Sequence, residues 1–134
     1  MTMIDGNPIA AWRCYGQRYR LEGCRCKTCK KIYFPKMFVC SCGERHFEPF
    51  FLHGDGVLIS FTKIVNPPYA FKKMASYCLG LVRLDEGPTI IAQLADVAFE
   101  KLYIGMKMSK VFRRCLAREH GVIHYGIKFI PKEL

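Results

Sequence analysis

The sequence predicts a mainly β chain with a short N-terminal helix, a cysteine-bearing ribbon and a C-terminal five-stranded barrel. Three observations predict it. Five of the eight cysteines fall within residues 24–43, CRCKTCKKIYFPKMFVCSCG. Downstream of them, five apolar, β-branched runs are separated by turn signals every ten to fifteen residues. Upstream, apolar and aromatic residues recur at helical spacing over 8–22.

The first element is PIAAWRCYGQRYRLE (8–22). Pro8 suits a first helical turn, and Gly23 is a natural stop. Ile9, Trp12, Tyr15 and Tyr19 fall on one face, with Arg13, Arg18 and Arg20 off it. An aromatic face of this kind packs on its own domain or docks on another protein. Trp12, the only tryptophan, is the residue type that anchors interfaces.

The second element is the cysteine segment. Cys26-Lys-Thr-Cys29 is a C-x2-C knuckle, and Cys40-Ser-Cys42-Gly43 follows ten residues later. A tetrahedral metal site needs four soft ligands, which two knuckles at the tips of short hairpins supply. The segment between them, KKIYFPKMFV, reads as two short strands around a turn at Pro35. A rubredoxin-like zinc ribbon results, with Cys26, Cys29, Cys40 and Cys42 as ligands to a structural Zn2+. Cys24 is a substitute ligand and His46 a weaker one; an iron–sulfur cluster is the alternative occupant. Four sulfurs leave no open coordination position, so this metal is not catalytic. Cys14, Cys78 and Cys115 stand alone and read as small buried hydrophobes.

The barrel follows. After a Gly-Asp-Gly turn a strand buries Val57, Ile59, Phe61 and Ile64. NPPY (66–69) breaks it. YCLGLVRL (77–84) and TIIAQLADV (89–97) are the next strands, joined by a turn whose Asp85 and Glu86 read as solvated. AFEKLYIGM holds one helical turn, and KMSKVFRRCLARE and HGVIHYGIKFIP supply the last two strands. A helical turn between the third and fourth of five strands fits an OB-fold barrel. The division expected is 1–23 helix, 24–46 ribbon and 47–134 barrel.

The formal charge is +10 over 134 residues. Residues 13–45 carry nine Lys/Arg against two acids and residues 97–134 eight against three, while 46–96 is near neutral. Such segments suit a phosphate-bearing partner or an acidic protein surface. No long apolar run indicates a membrane span, and the N-terminus does not read as a signal peptide, so a cytoplasmic protein is expected. No zincin, serine-hydrolase, phosphate-loop or dinucleotide motif occurs, and His53, His120 and His124 are isolated. The chain reads as a binding or scaffolding module, not an enzyme. One candidate ligand is single-stranded nucleic acid, using Phe47, Phe50, Phe51, Phe61, Tyr69 and Phe71 with Lys63, Lys72 and Lys73. The near-neutral middle argues against it. The other candidate is a protein partner.

Several motifs together, RYRLEG-x-x-C-x-x-C-x-x-IYFP (18–35), GDGVLISFT (54–62), VRLDEG (82–87), QLADV (93–97) and LYIGMKM (102–108), resemble the acyl-CoA-associated family that joins a zinc ribbon to an OB-fold. The likeness spans about residues 9 to 131. The usual pattern has a C-x2-C second knuckle and a glycine after the first; Cys40-Ser-Cys42 and Lys30 depart from it. The resemblance implies a non-catalytic companion of thiolase-like enzymes. It is similar to stand-alone archaeal members that bridge acetoacetyl-CoA thiolase and hydroxymethylglutaryl-CoA (HMG-CoA) synthase on the mevalonate route. In that setting Trp12, Tyr15 and Tyr19 are the partner-binding candidates. Lys72 and Lys73 are candidates for a CoA phosphate at the interface with the enzymes.

Overall fold

The computed structural model describes residues 8–13, 15–69, 76–117 and 123–132. The described helical residues are Pro8–Arg13 (α1) and Tyr15–Arg20 (α2), on either side of Cys14, which is outside the described residues. Leu21, with φ 49°, ends the second segment in the left-handed region. Gly23 is therefore not the helix stop. It lies inside β1 (Glu22–Cys26), where an added Cβ would come within 2.3 Å of the Tyr33 carbonyl oxygen on the neighbouring strand. Glycine there permits close strand approach rather than chain reversal.

β1 is the centre of a three-stranded antiparallel sheet in the order β2-β1-β3, with β2 at Ile32–Tyr33 and β3 at Phe47–Phe51. The ribbon thus differs from expectation in two ways. The second strand expected before Cys40 does not form; Met37, Phe38 and Val39 are exposed and unpaired instead. The place beside β1 goes to Phe47–Phe51, which the expected division gave to the barrel. That pairing joins residues more than twenty apart, so local propensity does not reveal it.

The remaining strands are β4 (Asp55–Ile64), β5 (Tyr77–Leu84), β6 (Thr89–Leu94), β7 (Lys107–Ala117) and β8 (Ile123–Pro131). They close a barrel in the order β4-β5-β6-β8-β7, with β7 returning to β4. A 3-10 turn, Phe99–Lys101, sits between β6 and β7. This is the expected five-stranded OB architecture. Closure between β6 and β8 is parallel at Leu94 and Phe129, and the Ala95 N–H donates to the Phe129 carbonyl at 2.8 Å.

The phase of β4 is a correction. Leu58 is fully buried, whereas Val57, Ile59 and Ile64 are only partly so. A bulge between Leu58 and Ser60 shifts the register against β5. Side chains alternate with period two, so one extra residue moves the following ones to the other face. Phe61 consequently packs inward, edge-on to Phe99 at 5.6 Å.

Leu58, Val82, Leu84, Met108 and Phe129 form the barrel centre. Leu21 and Leu52 extend the same apolar cluster to the ribbon, with Ile32, Phe34 and Phe50 packed against it. Glu86 is half-buried, not solvated as its turn position suggests. Its Oε1 accepts the His53 backbone N–H at 2.6 Å and so tethers the segment joining ribbon to barrel. No helix among the described residues is long and apolar enough to cross a membrane.

Candidate metal centre

The two knuckles are built alike. In the first, the Cys26 N–H donates to the Lys31 carbonyl at 2.9 Å and the Lys30 N–H to the Cys26 carbonyl at 3.1 Å. In the second, the Cys40 N–H donates to the Glu44 carbonyl at 2.8 Å and the Gly43 N–H to the Cys40 carbonyl at 2.9 Å. Each knuckle ends on a left-handed residue, Lys30 at φ 63° and Gly43 at φ 89°. The second turn closes one residue sooner, so C-x-C still forms a knuckle.

These turns bring four sulfurs together. Cys26 Sγ lies 3.7 Å from Cys42 Sγ, and Cys29 Sγ lies 3.3 Å from Cys40 Sγ. All four fall within 4.8 Å of one another. A tetrahedral thiolate site with bonds of about 2.3 Å has sulfur–sulfur edges of about 3.8 Å. The donor set therefore fits one such ion. Cys26 and Cys40 are buried, while Cys29 and Cys42 face outward.

Cys24 is not in the group. Its buried Sγ accepts the Met37 backbone N–H at 3.3 Å. His46 is also outside: its Nδ1 meets Glu44 Oε1 at 2.7 Å. Two residues that the cysteine spacing does not flag support the cluster. The Tyr33 hydroxyl lies 3.3 Å from Cys40 Sγ. Glu44 accepts the Thr28 hydroxyl of the first knuckle at 2.8 Å, together with the backbone N–H groups of Arg45 and His46. The His46 N–H, then Thr28, the His46 ring and the Arg45 N–H hold its carboxyl down at about 2. Glu44 thus ties one knuckle to the other.

The thiols do not ionise equally. The Cys42 N–H and the Tyr33 hydroxyl pull Cys40 down to about 5. At Cys29 the Lys31 N–H favours the thiolate, but the hydrogen bond with Cys40, burial and the neighbouring thiols outweigh it and push the group up to about 12. Cys42 is raised in the same manner, against the Glu44 N–H. A divalent cation among the sulfurs would offset the repulsion between thiolates, so its uptake releases protons and its retention weakens in acid.

The aromatic face of the helical segments divides. Tyr15 stacks on Tyr19 at 4.6 Å, and Tyr19 meets Phe112 of β7 edge-on at 5.2 Å. Phe112 stacks in turn on Tyr125 of β8 at 5.5 Å. Tyr19 therefore packs on the chain's own barrel, while Trp12 remains 70% exposed. Lys72 and Lys73 lie outside the described residues, as do Cys14, Phe71 and His120. Cys78 is half-buried in β5, and burial raises its thiol.

Residues 51–113 match the family described as ChsH2, C-terminal OB-fold domain. The chain is 41% identical over 122 residues to a DUF35 domain-containing scaffold protein of Pyrococcus furiosus, covering 90% of this chain and 89% of that protein. It is 38% identical over 132 residues to a protein of the same description from Methanocaldococcus jannaschii, covering 96% and 94%. Among solved structures, a chain of the Ltp2-ChsH2(DUF35) aldolase superposes with a TM-score of 0.72 at 26% identity over 98% of each chain. At 35–41% identity to three such proteins over 90–96% of its length, this chain belongs to the DUF35 family of scaffold proteins.

Proposed function

We propose that the chain is a non-catalytic scaffold of acyl-CoA metabolism that holds acetoacetyl-CoA thiolase and HMG-CoA synthase together in the cytoplasm, stabilised by a structural zinc on Cys26, Cys29, Cys40 and Cys42. The observation that carries this reading is the 41% identity, over 90% of the chain, to a protein named as a scaffold. The likeness to a chain from an aldolase whose name joins Ltp2 to ChsH2(DUF35) supports work beside a second component. A metal site made wholly of protein sulfur supports a structural role over a catalytic one.

The benefit of such a bridge follows from the chemistry. Condensing two acetyl-CoA molecules is uphill, so the product must be drawn off quickly. Holding the second enzyme beside the first raises its effective concentration without any new catalytic group. Trp12 is the proposed contact from the helical segments, with Tyr15 and Tyr19 setting its base on the barrel. Lys72 and Lys73 are proposed for a CoA phosphate. A protein partner is preferred to single-stranded nucleic acid because Phe50 and Phe61, two of the candidate stacking rings, pack against the core.

Reconstitution tests the reading. The purified chain, thiolase and synthase should elute together by size exclusion with light scattering, and the two enzymes without the chain should elute apart. Enzymes that associate equally well without the chain, or a chain that elutes alone, would contradict it.

A further inference from the structure

Phe38 is 90% exposed, more than any other large apolar residue among those described. Its neighbours Met37 and Val39 are 46% and 48% exposed. Three consecutive apolar side chains therefore project from the ribbon, where burial against a partner is the ordinary use of such a patch. The projection is held from both ends. The Met37 N–H is fixed on Cys24 Sγ, and Cys40, one residue beyond Val39, is locked into the second knuckle by its N–H bond to Glu44. A tip already held in shape loses little freedom on binding.

The surroundings indicate what would cover it. Residues 24–46 carry six Lys/Arg against one acid, Glu44. Glu44 is engaged by Thr28, Arg45 and His46 within the knuckles. Lys27, Lys30, Lys31, Lys36 and Arg45 are all exposed on this segment, Lys36 in an ion pair with Glu22 at 2.7 Å. An apolar plug on a strongly basic segment is complementary to an apolar pocket with a carboxylate rim.

We propose that Met37-Phe38-Val39 is the ribbon's docking plug, seated in an apolar, acid-rimmed pocket on one of the two bridged enzymes. The inference rests on the bridging function proposed above and adds which segment makes one of its two contacts. The second enzyme is held elsewhere, so losing the plug separates the two attachments.

The test repeats the three-protein reconstitution with Phe38→Ser and Phe38→Leu, using zinc content to show that the ribbon is intact. Phe38→Ser should weaken capture of one enzyme on the order of 30-fold, as loss of a central anchor does, and leave the other unchanged. Phe38→Leu should restore most of the capture. Retention of both enzymes by Phe38→Ser with full zinc would overturn the plug while leaving the bridge intact. Loss of both enzymes together would overturn the one-enzyme assignment. A wild-type chain that captures neither enzyme would overturn the bridge itself, and the plug with it. An apolar tip on a basic segment also suits an anionic bilayer. Sedimentation with phosphatidylcholine/phosphatidylserine vesicles that depends on Phe38, with enzyme capture unaffected, would overturn the proposal in favour of a membrane.

Discussion

Lys30 and Gly43 hold corresponding places in the two knuckles, and only one of them is glycine. A side chain at left-handed φ costs on the order of 1 kcal/mol that glycine avoids. Lys30→Gly should therefore raise stability by about 0.5–1 kcal/mol, and Gly43→Ala should lower it by about 1 kcal/mol or more. No atom lies within 4 Å of a Cβ built on Gly43, so the second effect would be purely conformational. Thermal unfolding with metal bound checks both. The cysteines separate as sharply. Cys26→Ser should cut bound metal well below one ion per chain by elemental analysis, and Cys24→Ser should leave it at one. Asp55 gives a pH dependence. Hydrogen bonds from Lys132 and Ser109, reinforced by the Lys132 charge against burial, hold its carboxyl below the usual 3.8. The stability it contributes is then fully present above 3.8 and disappears as pH falls through its lowered folded value. Asp55→Asn should lose no more than about 1 kcal/mol near neutrality. It should match the wild type in strong acid, as pH-dependent denaturant titrations would show.

Within elements, what the sequence makes legible depends on how local the cause is. The grouping of Cys26, Cys29, Cys40 and Cys42 was legible because each knuckle is a contiguous turn, and the strands 77–84 and 123–131 because turn residues bracket alternating runs. The inward face of β4 was not, since a bulge at Leu58/Ser60 changes phase without changing composition. Nor was the role of Phe47–Phe51, whose place beside β1 follows from packing Phe50 and Leu52 on the shared core rather than from its own propensity. The segment Met37–Val39 reads as a strand but has no partner strand to pair with. The same contrast predicts how the elements come apart. A two-residue β2 on a β1–β3 pair of five residues each makes a small sheet that a metal clamp would stabilise. Chelation should strip amide protection from β1, β2 and the knuckles, and leave β4, β5 and β6 protected, in hydrogen exchange read by mass spectrometry. Uniform loss of protection across both sheets would mean that the shared core, not the metal, governs the ribbon.

At the scale of the whole molecule, the chain offers separate surfaces on one shared apolar core. The ribbon carries the apolar tip and a strongly basic segment, and the barrel carries α2 on β7 and β8, with Trp12 beyond it. Two outlets on a shared core are what a bridge requires, because each contact can be weak while the assembly is strong. The most direct test is affinity purification of the tagged chain from its native cells at moderate salt, with mass spectrometry of the eluate. A bridging chain should bring down acetoacetyl-CoA thiolase and HMG-CoA synthase together, in a ratio that stays constant between preparations. Absence of both enzymes, with nucleic acid or ribosomal proteins in their place, would contradict it.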